Sequence, residues 1–299
     1  MRISQASLAQ RIGFSTLFMR SNGYSLLEAL DLGYDAGFRT VEVVPTTIQG
    51  NTGYPTTGFS VGIDLDEATP QEIDELAASL ARFPRRNVHS MSRDINIASR
   101  NAGIARESVR QFMQCAQFAV DIAAQSVTFH IGLPNLGEQI GDEQFVIERN
   151  IEFGKRIAEF AENHNLKAGY ENLGGFPNIS QMQEIIDRVG SPRFGCHLDV
   201  GHVWLAGDKD PVRWVNELGP HLVAVHVHGT YHRPDRGFEN HQSLELDDCT
   251  DFPALLAALN ACGFDGPMIL ELLAKDIPTY LQMCQRSRDI LLKAGEVSA

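Results

Sequence analysis

Imidazoles and carboxylates recur at the ends of short apolar stretches of this chain, and those two groups together are the ordinary ligands of borderline divalent cations. The stretch "FGCHLDVGHVWLAG" (194–207) places His197, Asp199 and His202 at one such end. Other stretches do the same: His89 in "RRNVHS", His130 in "SVTFHIG", Glu171 in "KAGYEN", His226 and His228 in "LVAVHVHG", and Glu271 in "PMILELL". Glu239 and His241 follow in "GFENHQ". A single histidine at a strand end reads as a hydrogen-bonded structural residue, since buried polar groups find partners. A series of consecutive strand ends with the same chemistry reads differently. Glu171, Asp199, Glu239 and Glu271 converging on one place would repel unless protonated or bound to cations. The expectation is a site for a divalent metal (Zn, Mn, Fe or Co), with one to three ions per chain. His197 shares the side of Asp199 but lies one layer deeper and is expected in the core. His164 and His221 are expected at the surface.

Positioning so many strand ends around one mouth requires a particular arrangement of elements. Strand patterns at 11–16, 40–44, 85–90, 126–132, 167–172, 193–200, 222–229 and 267–273 alternate with helical patterns such as "SVRQFMQCAQFAVDIAA" and "FPALLAALNACG". That βα rhythm implies a parallel sheet. Eight such units in a chain of this length fit a (β/α)8 TIM barrel, an α/β fold whose strand C-termini share one mouth, spanning 1–299 as a single domain. A doubly wound sheet would carry a glycine-rich phosphate loop after its first strand, and "GFSTLFMRSNGYS" is not one. The long segment 46–70 is expected to line the mouth or close over it, because structureless loops beyond about 12 residues are usually functional or disordered.

The 25 basic and 38 acidic side chains give a net charge of −13, which argues against a broad nucleic-acid surface. Hydrophobic content of 43% and charged content of 21% fit a globular chain with a sizeable core. No apolar run approaches the roughly 18 to 20 residues needed to span a bilayer, and "MRISQASLAQRIGFSTLF" has no apolar signal core. Five cysteines without metal-type spacing point to a reduced, cytoplasmic protein.

With those residues in place the chain resembles the xylose isomerase-like TIM-barrel superfamily, through "NVHSMSRDINIAS", "VTFHIG", "GYENLGG", "HLDVGHVWLAG", "AVHVHG", "ENHQSL" and "ILEL". Two branches are implied. The endonuclease IV-like branch holds three metals, and its ligands would fall on His89, His130, Glu171, Asp199, His202, His226, Glu239, His241 and Glu271. Its D-T-C-H reads D-V-G-H here, and its glycine-rich S-L-G-E-G reads "SLELDD". The sugar isomerase and epimerase branch binds one divalent metal through Glu171, Asp199, His226 and Glu271. Ketose 3-epimerases of that branch add a Glu and an Arg at positions that here are Pro177 and His232, which argues against that particular reaction.

The sugar branch implies a carbohydrate-like small-molecule substrate whose carbonyl a metal would polarise, with Glu171 and Glu271 as proton acceptor and donor. His202, His228 and His232 would then meet hydroxyls, while Phe14, Trp204 and Phe238 would stack on an apolar sugar face. The nuclease branch implies phosphodiester hydrolysis with Glu171 bridging two metals. Oligomeric state is left open by one sequence.

Overall fold

The computed structural model describes residues 5–17, 19, 24–45, 61–90, 94–134, 143–235 and 237–297. Residues 46–60 of the expected lid segment and 91–93 of "NVHSMSRDINIAS" lie outside the described residues. Seven strands, β1 (Ile12–Ser15), β2 (Thr40–Val43), β3 (Arg85–His89), β4 (Ser126–His130), β5 (Lys167–Glu171), β6 (Phe194–Asp199) and β7 (Leu222–Val227), run in parallel. A hairpin of β8 (Gly229–Arg233) and β9 (Gly237–Gln242) follows, and β10 (Met268–Leu270) then pairs with both β7 and β1 to close an eight-stranded barrel. All eight expected strands are present. The hairpin replaces what the sequence presents as a loop, "GTYHRPDRGFEN".

Strand parity sorts the side chains into two layers, because successive residues of a strand point to opposite faces. Val41, Val88, Val127, Phe129, Tyr170, Leu198, Val225 and Leu270 belong to the apolar core. This core lies between the strands and the surrounding helices. The other parity fills the lumen with Glu42, Asn87, His89, Ser126, Thr128, His197 and His226, all buried. Many barrels fill this space with branched aliphatics; here it is polar and hydrogen-bonded.

Phe14 falls on the apolar parity. Its ring meets those of Phe38 at 5.5 Å and Phe83 at 6.2 Å, and it touches the backbone side of Gly33 in helix Leu26–Asp35. The expected stacking of Phe14 on a substrate is therefore corrected: it is a fully buried core residue behind the barrel wall, where burial of a phenyl contributes about 2–3 kcal/mol.

Closure at β1 and β10 is locked from outside. The Tyr280 hydroxyl, on helix Ile277–Val297, accepts the Ser15 N–H at 3.1 Å and donates to the Leu270 carbonyl at 2.8 Å. Ser25, Thr69 and Asn178 start their helices with reciprocal capping boxes, each satisfying otherwise orphaned backbone N–H groups. All five cysteines are free thiols. Among the described residues no helix is long and apolar enough to cross a membrane.

Candidate metal centre at the barrel mouth

The centre is organised around His226. Its Nδ1 lies 3.3 Å from Glu171 Oε1, 3.5 Å from Asp199 Oδ2 and 3.5 Å from Glu271 Oε2. Parallel pairing produces this convergence, because Asp199 on β6 is in register with His226 on β7, which is in register with Ile269 on β10, two residues before Glu271. Glu171, Asp199, His226 and Glu271 each offer one ligand atom, and all four atoms lie within 4.8 Å of one another. A second group of the same kind consists of His89, His130 and Glu171. The donor set, three buried carboxylates around one imidazole, fits a divalent cation: without one, that negative charge must be balanced by protons on nearby histidines.

Behind His226 stands a residue the sequence reading did not single out. Glu42, in the apolar run "TVEVV", accepts from His226 Nε2 at 3.0 Å and is fully buried. Its other oxygen accepts from Asn87 Nδ2, whose own Oδ1 accepts from the Ser126 hydroxyl at 2.7 Å. The available signal was a lone charged residue on the lumen parity of an otherwise apolar strand. Burial raises the Glu42 carboxyl, but the imidazoles of His226, His89 and His197 outweigh it and hold it at about 2.

Several other histidines have their tautomers set by backbone carbonyls. His89 Nδ1 donates to Ser90 O at 2.8 Å, and His202 Nδ1 donates to Asn172 O at 2.9 Å. His89 Nε2 then faces Glu171 Oε2 at 2.8 Å, and His130 Nε2 faces the same oxygen at 3.0 Å. Burial lowers the His89 pKa, but the hydrogen bond and charge of Glu171 raise it further, to about 9. Burial, aided by repulsion from His226, pushes His197 down to about 3. The Thr128 hydroxyl donates to His197 Nδ1, consistent with the expected core placement of that residue.

These two shifts set a pH profile for the metal-free protein. His89 is protonated in the fold up to about 9 but deprotonates near 6.5 when unfolded, so its contribution is full below 6.5 and disappears as pH rises through 9. His197 is neutral in the fold down to about 3 while the unfolded chain takes up a proton below 6.5, so stability also falls on the acid side. Chelator-treated protein is expected to resist denaturant best near pH 6.5, and a divalent cation held by Glu171 and its neighbours is expected to reduce the alkaline decline by offsetting the carboxylate charge that holds the proton on His89. Denaturation midpoints from pH 4.5 to 9.5, with and without Zn²⁺ or Mn²⁺, check this; a flat metal-free profile contradicts it.

The remaining expected site residues are distributed as follows. His202 and His241 stand at the rim with ring centroids 5.6 Å apart, and His241 Nδ1 is 3.2 Å from Glu271 Oε2. Glu239 is drawn away from them. It is paired with Arg233 at 2.8 Å and receives the Tyr231 hydroxyl, because the hairpin register sets Tyr231 opposite Glu239. Glu239, His241 and His202 join none of the metal-capable groups among the described residues. His228 is not a substrate contact but a fully buried residue whose Nε2 donates to Asp199 at 3.0 Å. His232 is exposed on the hairpin, with its ring 5.2 Å from that of Phe238, which in turn lies 5.8 Å from Trp204. That aromatic group seats the hairpin on helix Val200–Leu205. Asn172, also unforeseen, holds Asp199 by exchanging two hydrogen bonds with its backbone, at 2.8 and 3.0 Å.

Comparison with known proteins agrees with this architecture. A Methanocaldococcus jannaschii protein described as uncharacterized is 25% identical over 193 residues, covering 62% of this chain and 63% of that one. The chain thus spans just under two thirds of the curated relative it matches. Among solved structures, a D-tagatose 3-epimerase-like protein superposes with a TM-score of 0.74 at 23% identity, covering 96% of this chain and 98% of that one. An L-ribulose 3-epimerase gives 0.75 at 17% identity (96% and 95% covered), and the IolI protein with a bound zinc atom gives 0.68 at 17% (96% and 98%). The family described as "Xylose isomerase-like TIM barrel" matches residues 30–290, and with eight parallel strands closed around a mouth of imidazoles and carboxylates, this chain belongs to that family.

Proposed function

We propose that the protein is a divalent-metal-dependent sugar isomerase or epimerase that moves a proton on the carbon beside a substrate carbonyl. The observation carrying this reading is the group of Glu171, Asp199, His226 and Glu271, with ligand atoms within 4.8 Å of one another at the barrel mouth. The epimerase and zinc-bound IolI structures with the same fold support it. A bound cation would supply Lewis acidity at the substrate carbonyl and stabilise the negative charge that develops on proton loss. Asp199 and His226, both held from behind, would serve as fixed ligands. Glu171 and Glu271 would each keep an oxygen for the substrate, one accepting and the other returning the proton. Oriented by its bond to Asn172, His202 would meet a substrate hydroxyl from the rim.

A second reading, a multinuclear phosphodiesterase, draws support from the group of His89, His130 and Glu171. The pairing of Glu239 with Arg233 and Tyr231 counts against a third metal there.

The test is metal content per chain by mass spectrometry, on protein purified without chelator or nickel, followed by keto-sugars and aldoses in D₂O. One ion per chain with deuterium entering a carbon-bound position is the expected result. Two or three ions with hydrolysis of a phosphodiester would favour the second reading. No ion retained or taken up, with no exchange, would overturn both.

A further inference from the structure

His228 is fully buried, and each ring nitrogen has one partner. Nε2 lies 3.0 and 3.1 Å from the two oxygens of Asp199, and Nδ1 accepts the backbone N–H of His241 at 3.0 Å. Because an N–H can only donate, Nδ1 must be the acceptor, and the proton sits on Nε2, facing Asp199. One ring therefore bridges a carboxylate of the candidate metal centre to the base of the β8–β9 hairpin. The space for that ring comes from Gly201: a Cβ there would stand 1.9 Å from His228 Cε1 and 2.8 Å from Nδ1. Asp199 also caps helix Val200–Leu205 through the His202 N–H at 2.8 Å, and Trp204 of that helix packs on Phe238 of the hairpin. Asp199, the short helix, His228 and the hairpin thus form one closed loop of contacts.

We propose that His228 is a positioning residue, admitted by Gly201, which couples the aim of Asp199 to the seating of the hairpin over the mouth. Cation capture at Asp199 and ordering of the hairpin then favour each other, since coupling between two sites is reciprocal. The inference rests on the metal reading above but specifies a link that reading does not require. It assigns a purpose to Gly201 of "LDVGH" and to the second histidine of "HVHG" together, as two halves of one contact.

The experiment follows hydrogen exchange of the amides in 237–242, with and without Zn²⁺, and the Zn²⁺ affinity by chelator competition. In the wild type Zn²⁺ is expected to slow exchange across this segment. In His228→Ala the affinity is expected to fall about 10- to 100-fold, as for other residues that orient metal ligands, and the hairpin response to Zn²⁺ to vanish. His228→Gln, whose amide can still donate to Asp199, is expected to recover most of both. Gly201→Ala should reproduce the His228→Ala behaviour, and the double variant should be no worse than Gly201→Ala alone, the signature of a shared contact. If His228→Ala does not fold, His228→Gln and Gly201→Ala carry the same two readouts. A wild type that takes up no Zn²⁺ overturns the metal reading; faster hairpin exchange in metal-free His228→Ala and a non-additive melting cycle with Gly201→Ala would still uphold the link. A wild type that binds Zn²⁺ without any change at 237–242, or a His228→Ala variant that responds as the wild type does, overturns the coupling.

Discussion

Glu171→Gln is expected to lower turnover by about 10³-fold, within the range for loss of a positioned acid or base, and to abolish entry of solvent deuterium into the substrate carbon. Glu171 is the most heavily shared carboxylate of the site, with His89 at 2.8 Å and His130 at 3.0 Å on one oxygen and His226 at 3.3 Å on the other. The amide keeps the size but cannot take a proton from carbon or balance an imidazolium. Glu271→Gln provides the contrast. If Glu171 is the acceptor and Glu271 the donor, Glu271→Gln should still wash label out of the substrate while forming little product. The glutamine at 171 should also weaken the hold on the His89 proton and shrink the alkaline decline of the metal-free protein. Turnover in Glu171→Gln near that of the wild type would overturn its assignment as a proton acceptor.

The second large effect is expected at Glu42, which never meets the substrate. A histidine that ligates a metal through one nitrogen is steadied by what its other nitrogen donates to. His226 Nε2 donates to Glu42 at 3.0 Å, which leaves Nδ1 for a cation among Glu171, Asp199 and Glu271. Glu42→Gln is expected to weaken cation binding about 10- to 100-fold, because the new amide group cannot accept from both His226 and Asn87. Pairing it with Asn87→Asp restores a donor facing an acceptor across that contact, and should recover part of the loss. Chelator competition on the two single variants and the double variant decides it; unchanged affinity in Glu42→Gln would show that the carboxylate acts only in packing.

The barrel and most of the centre were legible because each depends on a repeating signal. Apolar runs with helical stretches between them give the strand count, and an ionisable residue at the C-terminal end of such a run stands out. What escaped the reading depends on depth and parity. Glu42 lies inside its run, where a single charged letter is easily passed over until the pairing of β2 with β3 places it beside Asn87. Phe14 is one residue from Ser15, and that one step moves a ring from the lumen to the outer core. His228 looks like a mouth residue from its spacing to His226, yet the hairpin folds over it, and "GTYHRPDRGFEN" gave no strand signal because its alternation mixes charged and aromatic residues. Glu239 has a suitable side chain, but Tyr231 and Arg233 claim it across a register that no local spacing encodes.

The separation of the two parities matters for anyone redesigning this protein. On β2 to β7 the lumen residues form a continuous set of donors and acceptors from Ser126 through Asn87 and Glu42 to His226, whereas their immediate neighbours Val127, Val88, Val41 and Val225 belong to the apolar core. A library that varies every second strand position can therefore alter the outer shell without touching the proton inventory of the lumen. Varying the alternate positions changes that inventory, and because Ser126, Asn87, Glu42 and His226 are linked donor to acceptor in one chain, changes along it have to be made in complementary pairs.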